Sequence, residues 1–416
     1  MLTVDQATEA VLRRAQPLPA RSTALLDALG LVLAEEIKAD LDLPPFDKAL
    51  MDGYAVRSCD LEAPGDRPFR VVEEILAGQV PTATIQEGEA ARIMTGAPLP
   101  PGADAVVIVE RSRLHGSTVV LSGPIETGQN RLPRGREMRA GELLLEKGTW
   151  INATKLGLIA SAGRPEILAI PRPTVEIIPT GDELVPVSQN PRHGQIRNTN
   201  GVMLAGLARS WGAREVVENP VAPDDPVKLR EALARVLWFR EDRLRPELAI
   251  PGRVDVLLVS GGVSAGTKDL VPSTLVDLGI EPVFHKVNVK PGKPLWFGVG
   301  PNRGDKPGIL VFGLPGNPVS GVVSFLLFVR PALEVLAGSL PKRTQLGSFC
   351  LGSPFEHRGD RPTYHPAQLR QVQVFPLAWA GSSDLRTVAL ADGFAVFPAG
   401  DANFLVGEPV SFLPIR

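Results

Sequence analysis

The sequence predicts a multidomain α/β protein. It comprises a doubly wound α/β domain, a helical, discontinuous N-terminal domain, a β-rich lid domain and a small C-terminal β-barrel. Three observations carry this expectation. From Arg172 to about Ala337 apolar strands alternate with helical stretches, the rhythm of a parallel sheet covered by helices. From Leu43 to about Gly148 short apolar runs are broken by Gly and Pro, which is β texture. The chain's 416 residues also exceed what a single hydrophobic core organises.

The elements can be justified in order. Val11, Leu25, Leu29, Leu33 and Ile37 recur at helical spacing before Asp42. Residues 151–161 read as helix again, so residues 1–43 and 140–171 are expected to form one discontinuous helical domain. Between them, residues 44–139 hold apolar runs at 69–72, 90–94, 105–109 and 118–121, suited to an antiparallel or barrel-like β domain. In residues 172–338 strands are expected at 174–178, 254–259 and 308–312, with helices at 201–211, 226–240, 270–278 and 318–336. Residues 241–253 alternate in charge and read as a solvated helix end plus loop. Residues 339–416 return to short strands at 346–351, 371–377, 394–398 and 409–414, a small barrel or sandwich.

Composition narrows the function classes. A net charge of -2 and a pI near 6.3 argue against a protein that coats nucleic acid. Cys59 and Cys350 match no metal spacing and read as reduced thiols. The N-terminus lacks a secretory pattern, and Glu9, Arg13 and Arg14 suit an amphipathic helix. No run is expected to approach the roughly 18 apolar residues of a membrane helix. A cytoplasmic protein with no membrane partner follows. His115, His193, His285, His357 and His365 show no paired spacing that would hold zinc.

Chemistry is concentrated at the ends of three strands. Val254-Asp255-Val256-Leu257-Leu258-Val259 runs into Ser260-Gly261-Gly262-Val263-Ser264-Ala265-Gly266-Thr267-Lys268-Asp269. Without Cβ atoms such a loop can approach an anion and turn its N–H groups inward. A second strand delivers Thr180-Gly181-Asp182-Glu183-Leu184, and a third delivers Gly313-Leu314-Pro315-Gly316-Asn317-Pro318-Val319-Ser320. In an open α/β sheet these ends converge on one crevice. The residue types suit a phosphorylated ligand with a divalent metal. Asp182 and Glu183 could bind a hard cation or cap the next helix, with capping favoured for Asp182. Asp269 could reach the same cation. Lys290-Pro291-Gly292-Lys293-Pro294 fixes two cations around a turn, as an anion site requires. Capping of the last helix explains Asn317 as well as a ligand contact does.

Two motifs of the β region look outward. Asp47 and Asp52 lie in Pro45-Phe46-Asp47-Lys48-Ala49-Leu50-Met51-Asp52-Gly53-Tyr54-Ala55, either as acceptors for a ligand or as turn formers bonding their own backbone. Thr95, in Met94-Thr95-Gly96-Ala97-Pro98, reads on its own as part of a plain turn.

Taken in series, these motifs resemble the MoeA family of molybdenum cofactor synthesis, which is related to the E domain of gephyrin. Gly194-Gln195-Ile196 with Asn200 and Gly102-Ala103-Asp104 extend the match over most of the chain. The resemblance implies insertion of molybdate into adenylylated molybdopterin with hydrolysis of the adenylate, release of AMP and use of Mg²⁺. It also implies a homodimer with a composite active site. By the same resemblance Gly181, Ser260, Gly261, Gly262, Ser264, Gly266, Pro315, Gly316 and Asn317 cradle the phosphate or nucleotide. Glu183 and Asp269 hold Mg²⁺. Lys290, Lys293, Ser320, Arg361 and Ser382 bind molybdate, and Asp52 and Thr95 reach across the dimer. Ala49 departs from a frequent family Ser, Gly135-Arg136-Glu137 from a usual Gly-Glu-Asp, and Thr363 and Pro366 from the pattern near Arg361. The alternatives are a molybdopterin adenylyltransferase-like enzyme, whose loop reads Gly-Gly-Thr-Gly where this chain has Gly-Gly-Val-Ser, and a non-catalytic dimeric scaffold.

Overall fold

The computed structural model describes residues 1–237, 254–263, 270–304 and 306–415. The chain forms two compact units. The larger comprises Met1–Thr23, Ala28–Ala34 and Ile167–Arg416, and the smaller Ala24–Asp27 and Glu35–Glu166.

The larger unit opens with helix α1 (Val4–Arg14). Its start is a reciprocal capping box, in which the Thr3 hydroxyl accepts from the Gln6 N–H and the Gln6 side chain accepts from the Thr3 N–H. Ala7, Val11 and Leu12 bury its apolar face in the core that also holds the α/β sheet. The helical spacing beyond Arg14 does not become helix. Pro17 and Pro19 stop α1, Leu25–Ala28 is a single 3₁₀ turn, and Val32–Leu33 and Ile37–Lys38 are two-residue strands. Leu26 and Leu29 are 83% and 52% exposed, so no buried helix face exists there.

The smaller unit is built on strands β1 (Gly53–Val56), β2 (Gly65–Ile75), β3 (Glu89–Ile93), β4 (Ala105–Ile108), β5 (Ser112–His115) and β6 (Thr118–Gly123). They form one open six-stranded sheet in the order β4-β1-β3-β2-β6-β5. The expected antiparallel or barrel-like arrangement is corrected at one pair, since β2 and β3 run parallel. Tyr54 and Val56 enter one apolar cluster and Ala55 enters another. Alternate residues of β1 therefore point to opposite buried faces, which is why these strands read as continuous apolar runs. Helix α2 (Ala153–Ser161), capped by the Asn152 side chain accepting from the Lys155 N–H at 2.9 Å, belongs to this unit. The two segments expected to form one discontinuous domain, 1–43 and 140–171, pair with each other through short strands, Leu33 and Val32 with Ala169 and Ile170 in the larger unit and Lys38 and Ile37 with Leu143 and Leu145 in the smaller.

The rest of the larger unit follows the expected alternation. Its elements are β7 (Thr174–Pro179), α3 (Thr199–Ser210), β8 (Glu215–Glu218), α4 (Pro226–Leu237), β9 (Val256–Ser260), α5 (Val271–Asp277), β10 (Glu281–His285), β11 (Trp296–Val299), β12 (Leu310–Leu314), α6 (Pro318–Ser324) and α7 (Arg330–Leu336). The strand order is β8-β7-β9-β12-β11-β10. The first four are parallel, and β11 and β10 are antiparallel additions. Every residue of β9 is buried, and its side chains alternate between two cores. Val256 and Leu258 share a cluster with Leu204 of α3, Val319 of α6 and Leu333 of α7. Leu257 and Val259 share the other with Leu229 of α4 and Leu275 of α5. The sheet is therefore covered by helices on both faces. The segment 241–253 lies outside the described residues.

α6 and α7 are joined through a π-helical turn, Phe325–Val329. The Thr344 hydroxyl donates to the Leu326 carbonyl inside that turn at 2.9 Å. The run Pro318–Leu336 is long and apolar enough to cross a membrane, contrary to the expectation that no such run exists. It is the central core helix, with 89% of its apolar window buried inside the protein.

The C-terminal part is a closed barrel of β13 (Gly347–Leu351), β14 (Thr363–Arg370), β15 (Gln373–Pro376), β16 (Gly393–Phe397) and β17 (Pro409–Pro414), with helix α8 (Leu385–Ala389) between β15 and β16. β14 escaped the sequence reading because Pro366 sits inside it, where proline ordinarily argues against a strand.

Candidate functional site

The carboxyl ends of β7, β9 and β12 meet at a cleft of about 700 Å³. Gly181, Glu183, Ser260, Gly261, Gly262, Pro315, Gly316 and Asn317 all line it. Backbone bonds lock the three ends together: the Thr180 N–H donates to the Ser260 carbonyl at 2.9 Å, and the Gly261 N–H to the Leu314 carbonyl at 3.0 Å. Gly261 has φ +104°, and a Cβ there would sit 2.7 Å from the Thr180 carbonyl oxygen. Only glycine permits this crossing of loops. Gly181 has φ +140°, and its missing side chain leaves room for the Glu183 carboxylate, whose Oε1 would lie 2.7 Å from a Cβ.

Two asparagines complete the cleft. Asn200, in the first turn of α3, donates from Nδ2 to the Ser260 hydroxyl at 3.0 Å and to the Gly316 carbonyl at 2.7 Å. Its Oδ1 is buried without a hydrogen-bond partner. Asn200 appears in the sequence only as part of a longer pattern; the detectable signal was its place beside Asn198, the N-cap of α3. Asn317 occupies the N-cap of α6 but makes no side-chain cap bond, and instead donates to the Ser382 hydroxyl at 2.7 Å. Ser383 and Leu385 of the barrel also line the cleft. Asp182 does not cap the following helix either: its Oδ1 accepts from the Asp224 N–H at 3.1 Å, while Asn198 caps α3.

Lys290 and Lys293 do not line this cleft, although Pro294 does. Their loop is held between α6 and the barrel. The Lys290 N–H donates to the Pro362 carbonyl at 2.9 Å, and the Tyr364 N–H to the Lys290 carbonyl at 2.7 Å. Arg361 Nη1 donates to the Val289 carbonyl at 3.2 Å. On the other side Gly292 packs on α6, where a Cβ would meet Ser324 Oγ at 3.0 Å and the Ser320 carbonyl at 3.7 Å. Lys293 is exposed and Ser320 is buried.

Asp52 and Thr95 come together in the smaller unit. Both the N–H and the hydroxyl of Thr95 donate to Asp52 Oδ1 at 2.7 Å. These two bonds hold the Asp52 carboxyl below its ordinary pKa. Thr95 is therefore more than a turn residue. Asp47 does not bond its own turn: it accepts from Arg131 Nη1 at 3.1 Å and from the Arg134 N–H at 2.8 Å. Glu137 is paired with Lys48 Nζ at 3.3 Å.

Ser264, Gly266 and Asp269 lie outside the described residues, so Glu183 is the one described member of the expected metal pair. Among the described residues no group of three or more His, Cys, Asp or Glu side chains could hold a metal ion. Mg²⁺ needs only one or two carboxylates when substrate phosphates supply the other ligands. A single Glu183 carboxylate on a cleft of this kind fits that requirement.

Fold and cleft together define a class: a multidomain α/β protein with a glycine-rich cleft where its parallel strands end. Residues 2–163 match the MoeA N-terminal region (domain I and II), residues 176–335 a probable molybdopterin binding domain, and residues 350–415 the MoeA C-terminal region (domain IV). The chain belongs to the MoeA family. It is 31% identical over 423 residues to the molybdopterin molybdenumtransferase of Staphylococcus aureus strain Mu50, covering 99% of this chain and 95% of that protein. It is 34% identical to the molybdopterin molybdenumtransferase of Synechococcus elongatus, covering 95% of this chain and 94% of that one. A crystal structure of a Pyrococcus horikoshii molybdopterin biosynthesis MoeA protein matches with a TM-score of 0.80 at 29% identity, over 100% of this chain and 99% of that one.

Proposed function

We propose that this chain is a molybdopterin molybdenumtransferase. It takes adenylylated molybdopterin and molybdate, places the metal on the dithiolene, hydrolyses the adenylate and releases AMP. Family membership supports the transferase assignment. The observation that carries the site is the convergence of Gly181, Gly261, Gly316 and the amides of Asn200 and Asn317 on one cleft, beside a loop bearing two lysines.

Backbone N–H groups at these strand ends would bind the phosphate, and the Asn200 and Asn317 side chains would orient it. Glu183, with Asp269, would hold Mg²⁺, which when bound offsets charge on the phosphate. Lys290, Lys293 and Arg361 would bind molybdate as fixed cations, with Ser320 and Ser382 supplying hydroxyls. Asp52 and Thr95 belong to the smaller unit and would serve the cleft of a second copy, in a cytoplasmic homodimer with composite sites.

The test is single-turnover conversion of adenylylated molybdopterin by the pure protein with Mg²⁺, varying molybdate and following AMP. The expected result is molybdate-dependent AMP release that falls by about 100-fold in Glu183→Gln, the scale of removing one preorganised electrostatic contact. AMP release indifferent to molybdate, or none at millimolar molybdate, would sink the reading.

A further inference from the structure

We infer that His357 is a positioning residue for the oxyanion end of the site. Through Thr363 it lets the C-terminal barrel set where Lys290 and Arg361 stand. The inference deepens the proposed function and rests on it.

His357 is 3% exposed, and its ring stacks on Phe397 with centroids 5.8 Å apart and planes at 21°. Packing alone would be served by any flat apolar ring. Yet both ring nitrogens are engaged, Nδ1 with the Gly400 carbonyl at 2.7 Å and Nε2 with the Thr363 hydroxyl at 2.8 Å. A carbonyl can only accept, so Nδ1 carries the proton. The Thr363 hydroxyl that meets Nε2 also donates to the Arg361 carbonyl at 3.2 Å, so it ties the ring to the residue that heads the basic loop's contact with the barrel.

Thr363 is 3% exposed and lies where the barrel meets the basic loop. It forms a parallel bridge with Lys290, flanked by the bonds from Lys290 to Pro362 and from Tyr364 to Lys290. Two residues earlier, Arg361 is tied to the Val289 carbonyl. The loop between His357 and Thr363 is also closed from the far side, where the Gly400 N–H donates to the Gly359 carbonyl at 2.8 Å. Gly359 marks how near the cation is. A Cβ there would lie 3.7 Å from Lys290 Nζ and 3.8 Å from His357 Nε2. The ammonium and the imidazole therefore face the same small space. Withdrawing the ring nitrogens leaves the Thr363 hydroxyl with the Arg361 carbonyl alone and loosens the bridge that locates Lys290.

The test uses the full chain and three variants. His357→Phe keeps the stacked ring and removes both nitrogens. Thr363→Val keeps the shape and removes the hydroxyl, and Thr363→Ser restores it. Molybdate binding by titration calorimetry is read beside molybdate KM and kcat for AMP release and beside thermal stability. Thr363→Val and His357→Phe are expected to raise the molybdate Kd and KM about tenfold, the effect of displacing one charge-assisted contact. kcat and the affinity for adenylylated molybdopterin should stay within about twofold, and Thr363→Ser should behave as wild type. Should His357→Phe fail to fold, the Val and Ser pair at Thr363 carries the test. Wild-type molybdate affinity in Thr363→Val, with or without a lower Tm, would overturn this inference alone. A wild-type chain that binds no molybdate would overturn the functional reading and this inference with it.

Discussion

The side-chain amide of Asn317 donates to the hydroxyl of Ser382, joining the last helix of the α/β sheet to the C-terminal barrel across 2.7 Å. The same Ser382 accepts the Val319 N–H on its backbone carbonyl at 3.1 Å. One of the helix's orphan donors is thus satisfied by the barrel, which frees Asn317 to face the cleft. Asn317→Ala should therefore lower molybdate-dependent AMP release about tenfold while changing the unfolding free energy by no more than about 1 kcal/mol. Chemical denaturation alongside the rate assay separates the two. A loss of stability above about 2 kcal/mol with unchanged rate would make Asn317 a structural residue after all.

Thr95 sets the charge of Asp52. Two hydrogen bonds favour the carboxylate, so the folded pKa lies below the unfolded one. A carboxyl lowered in this way stabilises the fold above its unfolded pKa, near 4, and loses that contribution as pH falls through the folded value. Thr95→Val removes the hydroxyl bond and leaves the backbone bond. The Asp52 carboxyl, followed by carbon-detected NMR titration, should then titrate at a higher pH than in wild type, still short of an unperturbed aspartate. No movement would mean that the backbone N–H alone holds it.

Much of this arrangement was legible in the chain, for reasons that differ by element. The strands at β7, β9 and β12 announced themselves because burial on both faces demands unbroken apolar runs, and their glycine-bearing ends followed. The stretch from Leu25 to Ile37 misled because apolar residues at helical spacing carry no information about Pro17 and Pro19 upstream or about exposure of Leu26 and Leu29. Asn317 could not be assigned from sequence, since a cap and a ligand contact use the same residue type at the same place. Asn200 was invisible as a site residue because its role depends on two loops, at Ser260 and Gly316, that only folding brings to it. Pro318–Leu336 has the composition of a membrane helix, and only its burial in the core says otherwise.

Asn200 offers a sharper test of how the strand ends are held. It donates from one nitrogen to both Ser260 and Gly316, and its oxygen has no hydrogen-bond partner. Asn200→Ala removes two bonds and should cost about 1–2 kcal/mol. Asn200→Asp should cost about 3 kcal/mol, because a carboxylate would then face the Gly316 carbonyl with no donor between them. It should also weaken AMP binding more than Ala does, by adding negative charge to an anion cleft. Urea unfolding of the two variants with and without AMP decides the matter, and equal costs would mean that the aspartate is accommodated by rotation toward solvent.

Gly261 and Gly316 line the same cleft, yet alanine should act on them through different terms. At Gly261 the backbone has φ +104°, and a Cβ would lie 2.7 Å from both the carbonyl oxygen and the hydroxyl of Thr180. Both atoms belong to the neighbouring strand end, so the methyl has nowhere to go. Gly261→Ala should lose about 2–3 kcal/mol of stability through strain at a positive φ and a backbone clash. At Gly316 the nearest atom to a Cβ is Gly261 Cα at 3.7 Å, an ordinary contact. Gly316→Ala should therefore fold with stability within about 0.5 kcal/mol of wild type. Its methyl group enters the space a phosphate would occupy, so AMP should bind about tenfold more weakly. Thermal unfolding of the two variants, each with and without AMP, gives four numbers that must fall in this pattern. A Gly316→Ala chain that binds AMP as wild type does would place the phosphate elsewhere in the cleft, and the glycine-rich end of β9 would then stand as its seat without the third strand.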